Sequence, residues 1–322
     1  MPVDVSVVIP TRDRIASLRL TLASVLRQDD VDLEVVVVDD GSSVGISEAV
    51  SAVADPRVRS ARHDRPRGPN AARNTGAAEA SGRWIAFVDD DDLWAPDKLA
   101  AQLGAADAAA RCWVYAGAVN IDDRLRVIHG IPPPDPEHVI ASLPRYNPIP
   151  ASASNVMIDA ATFRRYGGFD ERLRSCEEWE LWLRLSREGP PAWVPRPLVA
   201  YRMHRSNAVL DVAALEEGAR AIERIHGTRI DRGRFHRWIA QLCLRNGDRR
   251  AAIGHYARAA LHGDAADALA EVAWLARQRL HRRGLAPAPK RPGGDPAWEA
   301  LARPWLDGLA TSSTGRVEGE RT

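Results

Sequence analysis

Only three cysteines occur in this chain of 322 residues, Cys112, Cys176 and Cys243. No two of them form a CxxC pair, so neither a zinc knuckle nor a dithiol redox motif is on offer. Scattered singly, they suit a reducing compartment and read as plain buried residues. No apolar run approaches the roughly 20 residues that a membrane span needs. Met1-Pro2-Val3-Asp4 leads at once into a strand-like run, which argues against a signal peptide. A large charge imbalance is missing too: 44 Lys and Arg face 43 Asp and Glu, a formal net charge of +1. No global electrostatic case for a nucleic-acid partner arises from that. A Gly-x-Gly-x-x-Gly fingerprint is also absent, which removes the dinucleotide oxidoreductases. What remains is an ordinary globular balance, 45% hydrophobic and 27% charged, with a cytoplasmic default location.

The pattern of what is present is more telling. Val5 to Ile9, Leu33 to Val38, Arg57 to Ala61 and Ile85 to Val88 read as strands. Arg14 to Arg27, Ser47 to Val53 and Asn70 to Ala80 read as helices between them. This alternation predicts a mostly parallel α/β sheet covered by helices. The strands are nearly unbroken apolar runs, as expected when both faces are buried. Ligands of such sheets bind beyond the carboxyl ends of the strands. Pro10-Thr11-Arg12, Asp39-Asp40-Gly41-Ser42 and Asp89 to Asp92 all lie at such ends, so three polar segments distant in sequence converge on one edge.

Beyond residue 94 short strands are expected at Trp113 to Ala116, Val127-Ile128, Ser154 to Ile158 and Leu198 to Tyr201. Pro132-Pro133-Pro134 opens a loop running to Pro136, and a helix is expected at Glu178 to Ser186. From Asp211 the chain reads as wholly helical, over Ala213 to His226, Phe235 to Arg245, Arg249 to Leu261 and Ala265 to Arg283. Asn246-Gly247-Asp248 and His262-Gly263-Asp264 mark its breaks. The expected divisions are residues 1–210 for the sheet domain, 211–285 for an all-α extension and 286–322 for a flexible tail. Arg277, Arg279, Arg282, Arg283, Lys290 and Arg291 form an acid-free stretch. It reads either as a solvated basic linker or as a peripheral contact with anionic lipid at the inner face of the membrane.

Asp89-Asp90-Asp91-Asp92 poses an electrostatic problem. Four adjacent like charges need either good solvation or a cation, and a divalent ion carrying a diphosphate would suit the place. If the segment is extended, Asp89 and Asp91 face the same way and address one ion.

The flanking motifs decide between these readings. Val5-Ser6-Val7-Val8-Ile9-Pro10-Thr11-Arg12-Asp13-Arg14 is the first of them, and Val36-Val37-Val38-Asp39-Asp40-Gly41-Ser42 the second. Gly68-Pro69-Asn70-Ala71-Ala72-Arg73-Asn74-Thr75-Gly76 leads on to the acidic run. Gly167-Gly168-Phe169-Asp170-Glu171 leads to Cys176-Glu177-Glu178-Trp179-Glu180-Leu181-Trp182. In order and spacing these stretches resemble glycosyltransferase family 2, whose catalytic domain has the GT-A fold. The resemblance covers residues 3 to 206; each motif alone is weak and the set is specific.

The resemblance implies transfer of a sugar from a nucleotide-diphosphate donor to an acceptor hydroxyl, with inversion and with Mg²⁺ or Mn²⁺. Pro10, Thr11 and Arg12 would line the nucleotide pocket. Asp40 would meet base or ribose, although capping of the next helix is open to it as well. Asp91 is the first choice for the metal, helped by Asp89. Asp89 or Asp90 would meet the ribose or a water, and Asp92 would serve structure. Arg73 would reach a phosphate or pair with the aspartates, and Asn74 would hold its loop. Glu178 stands where the family has its base, usually the Asp of a Glu-Asp pair. Here the pair is Glu177-Glu178, and a helix N-terminal acid is the other reading of Glu178. Glu180 and Arg184 read as a helix-surface ion pair. Arg202 and His204 fall where the family closes over the diphosphate. Trp94, Trp113, Trp179 and Trp182 would stack on sugars or fill the core. The acceptor, whether glycan, lipid-linked or a small molecule, is not legible. A catalytically silent nucleotide-sugar-binding protein and a sugar nucleotidyltransferase are the rivals. The latter wants a Gly-rich loop after the first strand, which is missing.

Overall fold

The structure is a computed structural model that describes residues 3–203, 211–282 and 296–314. It divides into two compact units. The first comprises Met1–Leu143, Pro148–Met203 and Asp295–Thr322, and the second Pro144–Asn147 and His204–Gly294.

The first unit begins with β1 (Val5–Thr11), α1 (Ile15–Val25), β2 (Leu33–Asp39), α2 (Ser47–Ser51), β3 (Val58–Arg62), α3 (Pro69–Glu79) and β4 (Trp84–Phe87). It continues through β5 (Leu93–Trp94), α4 (Lys98–Ala109), β6 (Trp113–Ile121), β7 (Val127–Ile131), α5 (Pro136–Ser142) and β8 (Met157–Asp159). Then come α6 (Ala160–Arg165), α7 (Glu177–Leu185) and β9 (Ala192–Arg202). One sheet runs β3-β2-β1-β4-β8-β6-β9-β5, with β7 paired to β6. The pairings among β3, β2, β1 and β4 are all parallel. Beyond β4 the sheet turns mixed: β8 pairs antiparallel with both β4 and β6, while β6 and β9 are parallel. The predicted parallel character thus holds throughout the β-α-β half and again between β6 and β9.

The expected N-terminal elements are present, with shifted ends. Pro10 does not stop β1, which runs on to Thr11 and pairs Pro10 with Val38. The buried faces of β1 and β2 meet helices on both sides, which accounts for their unbroken apolar runs. Gly76 lets α3 come down onto this sheet. A Cβ there would lie 2.4 Å from a methyl of Val8, inside any real contact distance.

Several elements were not expected. Helix α4 carries apolar side chains whose alanine-rich spacing gives little contrast between its faces. Helix α5 begins where the proline-rich loop ends, capped by Asp135, whose side chain accepts from the His138 N–H. The flexible tail expected over 286–322 is corrected in part by α12 (Pro296–Thr314). Its Trp298, Ala302, Leu306 and Leu309 join Val119, Ile121 and Ala200 in an apolar cluster. Trp298 lies against Gly117 and Gly130 and donates its indole N–H to Ala118 O at 3.0 Å. Tryptophan at the end of a polar tail had somewhere to pack.

Helix α4 also holds an unusual cation. Lys98 is wholly buried, its ammonium 3.9 Å from the Trp94 ring centroid and 2.7 Å from Gln102 Oε1. Burial pushes its pKa well below the ordinary lysine value. A base whose folded pKa is depressed binds fewer protons folded than unfolded, so stability rises with pH between those two pKa values. Urea unfolding across neutral to alkaline pH is expected to show that rise in the wild type and a flatter profile in Lys98→Met.

The second unit consists of α8 (Val212–His226), α9 (Arg232–Arg245), α10 (Arg249–Ala259) and α11 (Ala265–Arg282). Aspartates cap the first three, Asp211, Asp231 and Asp248. The expected break at His262-Gly263-Asp264 is a kink with Gly263 at φ +91°. The basic residues from Arg283 to Arg291, like His204, lie outside the described residues. Among the described residues no helix is long and apolar enough to cross a membrane.

Candidate active site

The carboxyl ends of β1, β2 and β4 place the three polar segments side by side. Asp89 to Asp92 is not extended. The Asp92 N–H returns to Asp89 O at 3.1 Å, so the run is a turn. That corrects the expectation that Asp89 and Asp91 face the same way as an i, i+2 pair. Each aspartate has its own partner. Asp89 accepts from the Arg73 guanidinium at 2.6 Å. Asp90 accepts from Thr11 Oγ1 at 2.6 Å. Asp91 accepts from Arg14 at 2.6 Å, and the same Arg14 nitrogen lies 3.3 Å from Asp90. Asp92 is fully buried, accepting from Ser154 Oγ at 2.5 Å and the Arg202 N–H at 2.9 Å.

Two of the four carboxyls are held partly against ionisation. Burial raises the pKa of Asp90 to about 6, with the neighbouring charge of Asp91 adding to it. Burial also raises Asp92 well above the ordinary value, and its hydrogen bonds only partly offset this. The two carboxylates that already share one cation are Asp90 and Asp91, through Arg14. Both are buried, and they offer oxygen donors alone, which fits a hard divalent ion such as Mg²⁺ or Mn²⁺ and not a soft one. Arg14 is about a third exposed, so its long side chain can swing toward solvent when another cation takes its place.

Asp40 is engaged differently. Its carboxylate accepts the backbone N–H groups of Arg67 and Gly68, each at 2.8 Å, and His63 Nδ1 lies 2.8 Å away. A carboxylate only accepts, so Nδ1 carries the proton, and Nε2 faces Thr75 Oγ1 at 2.9 Å. Asp40 thereby fixes the loop that enters α3, a role the sequence did not suggest, and His63 was missed with it. The next helix has no side-chain cap; Asp39 instead closes the turn after β2, accepting from the Ser42 N–H at 2.9 Å, and is paired with Arg62. Pro10 and Thr11 are buried at the end of β1, whereas Arg12 is exposed beside Asp13.

Arg73 is the hub of the site. Its buried guanidinium reaches Asp89 at 2.6 Å, Glu177 at 3.3 Å and Glu178 at 3.8 Å. It also lies over the Phe169 ring at 5.3 Å. One cation thus serves three carboxylates. Burial raises Glu177 to about 7, helped by the charge of Glu178 and opposed by Arg73. Asn74 ties the Phe169 segment to α3: its side chain donates to Phe169 O at 2.9 Å and accepts the Phe169 N–H at 2.9 Å. Glu180 and Arg184 are a correction. Glu180 is buried and Arg184 partly so, with Arg184 also donating to Gly168 O at 2.6 Å, so they clamp the Gly167-Gly168 turn.

Glu178 sits in the first turn of α7. Its Oε1 accepts from Ser152 Oγ at 2.6 Å. Ser152 and Ala151 both have left-handed backbone, at φ 48° and 55°, which is strained for residues with a Cβ. Asn155 pins this strained turn, exchanging hydrogen bonds with the Ala116 backbone at 2.7 and 2.8 Å and donating to Pro150 O at 2.9 Å. Ser154 links the same turn to the acidic run, since its Oγ also accepts the Asp89 N–H at 3.0 Å. Residues 150–155 therefore tie Glu178 to the aspartates. Left-handed backbone leaves no mark in composition, so the sequence showed only a strand candidate there.

Arg202 is buried at the end of β9. Trp94, Trp113, Trp179 and Trp182 are all buried, and the indole N–H groups of Trp94 and Trp179 are spent on Ser154 O and Leu143 O. They fill the core.

Known proteins resemble this chain in both sequence and fold. The model of Glycosyl transferase family 2 matches residues 6–166, half of the chain. The succinoglycan biosynthesis protein ExoO of Rhizobium meliloti is 44% identical over 106 residues, 33% of this chain and 30% of that protein. The UDP-Glc:alpha-D-GlcNAc-diphosphoundecaprenol beta-1,3-glucosyltransferase WfgD of Escherichia coli is 35% identical over 99 residues, 31% of this chain and 39% of its own length. Matches to the first four curated relatives span only 29–33% of their lengths. Among solved structures, S. aureus TarS 1-349 in complex with UDP-GlcNAc superposes with a TM-score of 0.58 at 17% identity, covering 98% of this chain and 92% of that one. The chain belongs to glycosyltransferase family 2 and has the GT-A fold.

Proposed function

We propose that this protein transfers a sugar from a nucleoside-diphosphate sugar, a uridine one in the first instance, to an acceptor hydroxyl on a surface-polysaccharide precursor. The uridine donor is suggested by the ligand of TarS and the name of WfgD. The names of ExoO and WfgD suggest the acceptor class, including lipid-linked glycans. One observation carries the reading: Arg73 joins Asp89 of the acidic turn to Glu177 and Glu178 at one sheet edge.

Glu178 is the base. It takes the proton of the acceptor hydroxyl while that oxygen bonds to the anomeric carbon and the bond to the diphosphate breaks. A single displacement of this kind inverts the anomeric centre and needs no covalent enzyme intermediate. Ser152 orients the carboxylate, and Arg73 keeps the flanking acids from repelling it out of place. Positive charge developing on the sugar is favoured by the surrounding carboxylates. Asp91, with Asp90 or Asp89, would hold Mg²⁺ or Mn²⁺, which supplies charge neutralisation to the departing diphosphate.

A thermal-shift panel tests this. UDP, GDP and dTDP and their sugars are added with Mn²⁺, with Mg²⁺ or with EDTA. A uridine nucleotide with metal is expected to raise the melting temperature by several degrees, as ligand at roughly 100 times its Kd adds about 2.7 kcal/mol. Absence of a shift with every nucleotide would sink the proposal. A shift without any turnover of the donor would point to a silent binding protein.

A further inference from the structure

The helical unit contains a cluster that the transfer reaction does not use. His236 on α9 and His255 on α10 are buried and face each other, Nδ1 to Nδ1, at 3.2 Å. Glu216 on α8 offers a carboxylate oxygen, and the three ligand atoms lie within 4.8 Å of one another. Beside them opens a cavity of about 360 Å³ lined by Glu216, Arg220, Arg232, His236, Arg258 and His262. From the geometry we infer that Glu216, His236 and His255 form a site for a divalent transition-metal ion of the zinc class. It is separate from the acidic turn and independent of the proposed reaction.

Three observations support the assignment. Two nitrogens bound at about 2.0–2.1 Å in tetrahedral geometry stand roughly 3.3 Å apart, close to the separation found. The donor set is two imidazoles and a carboxylate, which suits zinc and its neighbours and is a poor match to Mg²⁺ or Ca²⁺. The cavity supplies room for a fourth ligand, and its wall holds a further imidazole. The His262 ring lies 5.7 Å from that of His236, delivered there by the kink before α11. That kink is held in place: Gly233 at the start of α9 sits so close that a Cβ would come within 2.7 Å of Asp264.

Two of the cavity's arginines, Arg258 and Arg220, already pair loosely with Glu216, and a bound ion would take their place there. Arg232 is paired with Glu223, and Arg220 lies 3.1 Å from Glu217. Arg258 and Arg220 approach Glu216 only to 3.7 and 3.9 Å, beyond hydrogen-bond length. An ion bound by one residue from each of α8, α9 and α10 would cross-link the three helices.

The test uses the full untagged chain, stripped with chelator and titrated with Zn²⁺ or Co²⁺ in excess Mg²⁺. The expected result is one bound equivalent that survives gel filtration. With Co²⁺, intense visible absorption typical of four-coordinate ions should appear, and Zn²⁺ should raise the melting temperature. His255→Gln and Glu216→Gln should each lose the equivalent and the absorption, while Asp91→Asn keeps both. No bound equivalent in the wild-type chain overturns the inference. So does binding that persists in both variants of the cluster, or binding that disappears in Asp91→Asn, which would assign the metal to the acidic turn. A plain hydrogen bond between the two histidines would then account for their approach.

Discussion

Asp91→Asn is expected to lower sugar transfer by about 10³-fold or more while leaving the fold intact. The magnitude comes from the charge that must be stabilised on a departing diphosphate. Loss of roughly 4 kcal/mol of transition-state stabilisation, a reasonable share for a Lewis-acid ion, is about a thousandfold in rate. The fold should survive because Asp91 does not hold the turn together. Asp92 does that, through Ser154 and the Arg202 N–H. Asparagine keeps an oxygen for Arg14 and removes only the charge. Turnover of a uridine-diphosphate sugar, monitored by release of UDP across a Mn²⁺ titration, measures the effect. Near-normal turnover at saturating metal would show that Asp91 is not the ligand. The matching change at Arg14 has the opposite sign. Its guanidinium pairs with Asp90 and Asp91, and on the proposed assignment of the metal it yields to an incoming cation. Arg14→Met should reduce the metal concentration needed for half-maximal activity.

Periodic patterns and local motifs were legible in the sequence. Strand-helix alternation and unbroken apolar runs located β1 to β4, and the strand ends brought the three polar segments to one edge. The aspartates could be counted but not separated, because a turn and an extended run have the same composition. Only the Asp92 N–H to Asp89 O bond distinguishes them. Asp40 and His63 are 23 residues apart and join through a side-chain bond that no local pattern records. Ser152 was hidden for a related reason: its importance comes from left-handed backbone that Asn155 enforces. Helix α12 escaped because a weakly amphipathic segment after a Pro- and Gly-rich stretch resembles a tail until Trp298 finds Gly117 and Gly130. Those glycines leave the space that its ring fills.

Glu178→Gln separates the two glutamates that sequence left tied. The amide retains an oxygen to accept from Ser152, so geometry is preserved and only the capacity to take a proton is lost. Turnover should fall by about 10²–10⁴-fold, the usual share of general-base catalysis, with donor affinity unchanged. Glu177→Gln should act on stability instead. Glu177 is the more deeply buried of the two and faces Arg73. Burial first, and the charge of Glu178 second, raise its pKa from 4.5 to about 7. A carboxyl raised on folding binds a proton more tightly in the folded state. Its stabilisation is complete below pH 4.5 and is lost as pH rises through about 7. Wild-type stability should therefore decline across that window, Glu177→Gln should flatten the decline, and Glu178→Gln should only shift it to lower pH. Urea unfolding at four or five pH values reads the slopes, and single-turnover kinetics reads the base. If Glu177→Gln abolishes the chemical step while Glu178→Gln spares it, the proton goes to Glu177, and Ser152 positions a spectator.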